Sequence, residues 1–273
     1  MIDGAIARSA PRGRVFLVGA GPGDPELLTL RAHRILTGAR VVAYDELVGS
    51  EILALIPPEA ERIAVGRRRG TCPNAPSIHP TVLERALAGL DVVRLKGGDP
   101  MIFGRGGEEA AELAALRIPF EVVPGVSAAL GAAASAGIPL THRDAASSVT
   151  FATAHLRGRA GTGEHEVESL ARRVPPEGTV VLYMGIATLR ETARRLVEDG
   201  RAPSTPVAVV SRATLPDQRE VVADLATIAD AVAAADLPTP ALVIVGEVVA
   251  RRVAPSAPAA IAPPRPLRHV RRG

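Results

Sequence analysis

Carboxylates and closely spaced glycines fall together at places in this sequence where a small-molecule site can be built. Residues 19–25 read Gly-Ala-Gly-Pro-Gly-Asp-Pro after a short apolar run, and Asp45 ends a second apolar run. Residues 97–100 read Gly-Gly-Asp-Pro, one residue (Lys96) after the run 92–95, which only Arg94 interrupts. Glycine lacks a Cβ, so such turns let main-chain N–H and C=O groups come close to a ligand. Asp24, Asp45 and Asp99 add carboxylates at the ends of these runs, and in open α/β sheets the carboxyl edge of the strands is where ligands bind. The same Gly-Gly-Asp-Pro is also what an ordinary turn contains. A basic loop, Gly66-Arg67-Arg68-Arg69-Gly70, follows a further short apolar run. It reads either as a solvated surface run or as a recruiting element for an acidic substrate.

A Gly-rich first turn with an acid about 20 residues on is the fingerprint of dinucleotide binding, so a dinucleotide-dependent oxidoreductase is one reading. The details disagree with it. Asp24 stands where that fingerprint has its third glycine, and Pro22 and Pro25 remove N–H groups from the loop. A carboxylate at the mouth of a helix N-terminus opposes a phosphate there. The loop therefore suits a ligand that is neutral or cationic where it meets Asp24. S-adenosylmethionine, with an ammonium and a sulfonium and no phosphate, is such a ligand.

These turns need strands and helices to position them, and the apolar pattern supplies both. Strands are expected at residues 15–18, 41–44, 63–65, 92–95 and 120–123, with helices from Pro25, at 81–90, at 108–116 and, built from small residues, at 127–136. Gly137-Ile138-Pro139 breaks that last helix. The second half repeats the alternation: strands at 149–153, 180–184, 207–210 and 242–245, an amphipathic helix at 189–198 with Gly200 past its end, and a helix near 225–235. The expected organisation is a leader over 1–14, an α/β domain over 15–139, a second over 140–250, and a disordered Pro/Ala/Arg tail over 251–273.

Composition narrows the class. At 273 residues and 47% hydrophobic the chain can bury a full core in two domains or one large one. Net charge is +3, but the tail from 251 onward is rich in arginine and has no acid, so the rest is mildly acidic. Single-stranded nucleic acid is bound on aromatic platforms, and this chain has no Trp, two Tyr and four Phe, so no nucleic-acid partner is expected. The longest apolar stretches, 127–140 and 241–250, fall short of a spanning helix of roughly 20 residues. With no apolar signal segment at its start and a lone cysteine, Cys72, the sequence suggests a cytoplasmic enzyme with neither disulfide nor cysteine-rich metal site.

Set side by side, the motifs VGAGPGDPELLTL (18–30), VVAYDELV (41–48), RLKGGDPMIFGRGGEE (94–109), VVPGVSAALGAAASAGIPLTHRD (122–144), LYMG (182–185) and TPVAVV with PDQR (within 205–219) resemble the uroporphyrinogen-III C-methyltransferases of the tetrapyrrole methylase group. The resemblance runs from about residue 15 to 249. It implies two α/β domains of the tetrapyrrole methylase type with the active site in the cleft between them, in a homodimer. The implied reaction is two methyl transfers from S-adenosylmethionine to uroporphyrinogen III, leaving S-adenosylhomocysteine and giving precorrin-2 for sirohaem or cobalamin; a methylase of a later precorrin is the neighbouring alternative. No metal is implied. By motif the cofactor touches Pro22, Gly97, Gly98, Asp99, Ile102, Ser127, Ala128, Met184 and Ala213, the last standing where the family has glycine. Asp45 resembles the family's proton acceptor, and Arg67 occupies the place of a lysine proposed as proton donor. Arginine stays protonated in proteins, so at that place it binds or stabilises anionic groups better than it donates a proton. The substrate's eight carboxylates call for cations, and Arg105, His142 and Arg143 are the candidates alongside Arg67.

Overall fold

The computed structural model describes residues 12–66, 77–154, 174–175 and 177–255. Its first sheet consists of β1 (Val15–Gly19), β2 (Val41–Tyr44), β3 (Glu61–Ala64), β4 (Val92–Lys96) and β5 (Phe120–Val123), in the order β3-β2-β4-β1-β5 with every pair parallel. Parallel strands need crossovers that cover both faces. Helices α1 (Leu30–Thr37), α2 (Ser50–Leu53), α3 (Pro80–Leu87) and α4 (Gly106–Ala115) lie in those connections. Val18, Val42, Val93 and Leu95 fill one face, while Val15, Leu17, Val41, Ala43 and Val92 fill the other. The register sets Gly19 beside Lys96, so the glycine turns after β1 and β4 leave the sheet at the same height.

The first turn differs from the helix expected at Pro25. Asp24 does cap, its Oδ1 accepting from Glu26 N–H at 2.8 Å, but the turn Pro25–Leu27 is a 3-10 turn that ends at an extended Leu28. Thr29 then caps α1, its hydroxyl oxygen accepting from Ala32 N–H at 3.1 Å. Two good caps five residues apart divide what periodicity reads as one helix.

The second sheet holds β6 (Val149–Thr153), β7 (Thr179–Tyr183), β8 (Pro206–Ser211), β9 (Arg219–Asp224) and β10 (Ala241–Val245), in the order β6-β7-β10-β8-β9. Only β6 and β7 run parallel; the other pairs are antiparallel. The alternating pattern misses β9, an edge strand with charged ends and no fully buried residue. Its connection from β8, residues 212–218, is too short for a crossover, so the two strands pair as antiparallel neighbours. Helices α6 (Leu189–Glu198) and α7 (Ile228–Ala235) pack on one face, against Leu182, Val207, Val209 and Val243. Among the described residues no helix is long and apolar enough to cross a membrane.

The other face of this sheet is covered by α5 (Ala128–Ser135), which follows β5 in the chain. Ala129, Ala132, Ala133 and Ala136 pack on Val181, Ala208, Val210, Leu242 and Ile244. Side chains this small let the helix approach closely, and its opposite flank is equally tight. A Cβ on Gly131 would lie 2.5 Å from the Cβ of Pro22 in the first glycine turn. Residues just past β10 return to the end of α5: Val253 N–H donates to Gly137 C=O and Arg252 Nε to Ala136 C=O, each at 2.9 Å.

Three turns meet where β1, β4 and β5 end. A Cβ on Gly125 would stand 2.3 Å from Gly98 O and 2.9 Å from Gly19 Cα, and one on Gly19 2.7 Å from Gly98 O. Backbone cannot yield as a side chain does. Gly125→Ala should therefore cost at least about 1–3 kcal/mol of stability by overpacking. Gly107→Ala, where a Cβ would meet nothing within 4 Å, should leave stability unchanged or slightly raised. Urea unfolding of both variants checks the contrast.

Candidate active site

The turns after β1 and β4 pair with each other through Gly21 N–H to Gly98 O at 3.1 Å and Gly98 N–H to Gly21 O at 2.8 Å. Gly98 adopts φ +65°, a conformation that favours glycine. Gly97 abuts the segment after β2, since a Cβ there would lie 3.3 Å from Leu47 Cβ. Asp99 fastens the third turn: one oxygen accepts from Gly125 N–H at 3.0 Å, the other from Met101 N–H at 2.8 Å. Ile102 N–H donates to Asp99 C=O at 3.3 Å. The expected contact residues Gly97, Gly98, Asp99 and Ile102 thus lie along one backbone cradle, and the Asp99 carboxylate is what closes it.

Elements from the second sheet form the facing wall. Ser127 caps α5, its Oγ accepting from Ala129 N–H at 3.3 Å, and sits 2.6 Å from the Tyr183 hydroxyl, which also accepts from Ala129 N–H at 3.2 Å. Ala128 N is the backbone atom nearest a Cβ built on Gly98, at 3.4 Å. Tyr183 stacks at a tilt on Phe103 with centroids 4.7 Å apart. Burial pushes the Tyr183 phenol above its ordinary value, and the nearby Asp99 charge adds to this, against the pull of Ser127 and Ala129. Met184, next in the chain, is half-exposed with φ +56°. A shallow hollow of about 340 Å³ lies between Met184, Phe103, Met101, Arg105 and Glu108. The loop 212–218 closes over the first turn: Thr214 Oγ1 accepts from Asp24 N–H at 3.1 Å, and Leu215 comes within 2.9 Å of a Cβ built on Gly23. Ala213 packs on the core beneath.

Asp45 extends from the end of β2 beside Lys96, with its side chain 29% exposed. Arg94 Nη2 contacts its Oδ1 at 2.5 Å and Lys96 Nζ lies 3.8 Å from Oδ2. Arg105, at φ +59° and half-exposed on the rim of the hollow, lies 3.6 Å from Glu108 and 3.4 Å from the Ser77 hydroxyl. It is both paired with a neighbouring acid and open to a ligand. His142 closes its own turn: Nδ1 accepts from Asp144 N–H at 3.2 Å, and its backbone pairs with Ala146. Arg143 is exposed on that turn. Arg67 and Cys72 lie outside the described residues, as do residues 71–76.

The motif reading gave no role to Tyr183, Thr214, Arg94, Lys96 or Glu109. For Arg94 and Lys96 a signal existed, because charge in an apolar strand that is buried throughout must find a partner; Glu109, on α4, carried none. Tyr183 and Thr214 carried no comparable signal, since nothing local says which partner lies across a cleft.

Residues 14–229 match the family model described as Tetrapyrrole (Corrin/Porphyrin) Methylases. Siroheme synthase 1 of Halorhodospira halophila is 50% identical over 251 residues, which cover 91% of this chain and 51% of that protein. The chain thus spans about half the length of the curated relatives it matches. The uroporphyrin-III C-methyl transferase of Thermus thermophilus, in its complex with S-adenyl homocysteine, is 44% identical with a TM-score of 0.73, covering 88% of this chain and all of that one. A cobalt precorrin-4 methyltransferase has the same TM-score of 0.73 at 29% identity, over 88% of this chain and 98% of that one.

Tyr183→Phe should remove the hydroxyl that joins the halves, costing about 1–2 kcal/mol. A raised phenol pKa means the folded state keeps its proton when the unfolded chain has lost it. The Tyr183 contribution is present below the ordinary value of 10.0 and falls as pH rises beyond it. Thermal melts between pH 8 and 11 should show a smaller alkaline loss in the variant.

Proposed function

The chain belongs to the tetrapyrrole methylase family, and we propose that it transfers two methyl groups from S-adenosylmethionine to ring carbons of uroporphyrinogen III, giving precorrin-2 for sirohaem or cobalamin. One observation carries the reading: the first glycine turn has most of its amides committed to the protein. Ala20 N–H donates to Lys96 O, Gly21 N–H to Gly98 O and Asp24 N–H to Thr214 Oγ1, while Pro22 has none. A pyrophosphate needs such amides free. What surrounds the turn instead is carbonyls and negative charge, with Asp24 and Asp99 held by amides of the turns and Asp45 partly exposed beyond them, a setting that fits a cationic ligand better than a dinucleotide.

When bound, S-adenosylmethionine supplies a methyl group on a positively charged sulfur, which leaves as neutral S-adenosylhomocysteine. The protein's part is alignment and exclusion of water, because the ring carbon is electron-rich and needs no nucleophile from the chain. The cradle formed by Gly97, Gly98, Asp99 and Ile102, with Pro22, Ser127, Ala128, Met184 and Ala213 around it, is the proposed holder of the donor. Asp45 accepts the ring proton that must leave after each transfer. Arg105 and Arg143, with His142 on the same turn as Arg143, meet the substrate carboxylates; Arg67 is assigned to that anionic side as well. A homodimer in the cytoplasm belongs to the same reading. The shared fold with a precorrin-4 methyltransferase keeps a later precorrin as the second reading.

Purified protein, labelled S-adenosylmethionine and enzymatically made uroporphyrinogen III under reducing conditions should yield a dimethylated tetrapyrrole. Activity only on a methylated precorrin would select the second reading, and NADH binding without S-adenosylhomocysteine binding would reject both. Asp45→Ala should lower kcat by about 10²–10⁴-fold and leave S-adenosylhomocysteine affinity within about threefold. Equal loss of both would remove Asp45 from the proton step.

A further inference from the structure

Four charged side chains form one connected group beneath the cleft. Arg94 and Lys96 project from the face of β4 that carries Val92, and Glu109 of α4 meets them one turn before Leu113. Glu109 Oε1 lies 3.2 Å from Arg94 Nε and 2.9 Å from Lys96 Nζ. Arg94 also donates through Nη1 to Leu95 C=O at 3.2 Å, so its guanidinium is held at three points, the third being Asp45. The side chains of Arg94, Lys96 and Glu109 are 8%, 3% and 4% exposed, whereas that of Asp45 is 29% exposed. Two cations balance two anions, and the only member that reaches the cleft is the one at the carboxyl edge of the sheet.

Stability does not account for this arrangement. Removing three charges from water costs several kcal/mol per ion, and well-packed apolar residues at such places are commonly neutral or more stable. The surrounding Val92, Leu113 and Ile118 show that the site already lies in an apolar core. Glu109 even keeps one buried oxygen, Oε2, with no hydrogen-bond partner among the described residues.

We infer that Glu109 is a positioning residue, fixing Arg94 and Lys96 so that they hold the Asp45 carboxylate at one place and angle in the cleft. The inference rests on the reading of Asp45 as proton acceptor. Without the Glu109 charge both cations face Asp45 alone, and the 3.8 Å gap to Lys96 closes by drawing the carboxylate inward.

Two variants test this. Glu109→Gln keeps shape and removes charge; kcat should fall about 10–100-fold, the scale of a misplacement near 1 Å, with S-adenosylhomocysteine Kd and the KM for the tetrapyrrole within about threefold. Its crystal structure should show Asp45 moved toward Lys96. The apolar combination Arg94→Met/Lys96→Met/Glu109→Leu should match or exceed the wild-type melting temperature while kcat stays as low. Wild-type kcat in either variant, or a parallel loss of turnover and cofactor affinity in Glu109→Gln, overturns the inference. If the combination fails to fold, Glu109→Gln alone decides. If the unaltered protein methylates no tetrapyrrole, the proposed function fails, and the position of Asp45 in the Glu109→Gln crystal still decides whether Glu109 positions it.

Discussion

Backbone lying directly on backbone where Gly19, Gly98 and Gly125 meet is the contact on which the cleft depends. Gly19 ends β1 while Gly98 and Gly125 lie in the turns after β4 and β5, strands that are neighbours in the sheet although far apart in the chain. Parallel register brings the strand ends level, and the absence of Cβ atoms lets the turns close to main-chain distance. Asp99 can then bridge to Gly125, and Gly21 and Gly98 can exchange two hydrogen bonds. The cradle is thus a product of sheet topology as much as of loop composition.

Many polar groups that look free to bind a ligand are already engaged with the protein itself. Asp24 caps its own turn, both Asp99 oxygens hold amides, and Ser127 joins α5 to Tyr183. Buried polar groups must be satisfied, so the residues nearest a cleft are often those that build it. What is left to face a ligand is carbonyl oxygen, the half-exposed Met184 and Phe103, and the partly exposed Asp45.

Local pattern made much of the first half legible. Residues 41–44 and 120–123 form strands at the expected bounds, the first as an almost wholly buried run and the second as a β-branched edge strand closed by a Pro-Gly turn. The amphipathic run 189–198 is likewise a helix at its expected bounds. The glycine and aspartate turns at strand ends pointed to the carboxyl edge, where they are found. What escaped was non-local or weakly apolar: β9, whose residues are only half-covered, and the contacts of Tyr183 with Ser127 and of Thr214 with Asp24. Arg94 stood out as a charge in an apolar run, yet its partners lie 49 and 15 residues away. Spacing in sequence does not encode such pairs; the packing of α4 on β4 does.

α5 is pressed on two sides, with Gly131 against Pro22 and its alanines against the second sheet. Exposure is left to Leu130, at 51%, and to Ala134, one turn further on. A helix with so narrow a free stripe can drift over generations only along it, because any other substitution enlarges a residue against a wall. Variation among descendants of this chain should therefore collect at Leu130 and Ala134, leaving a signature of the cleft's geometry in sequences whose structures are never determined.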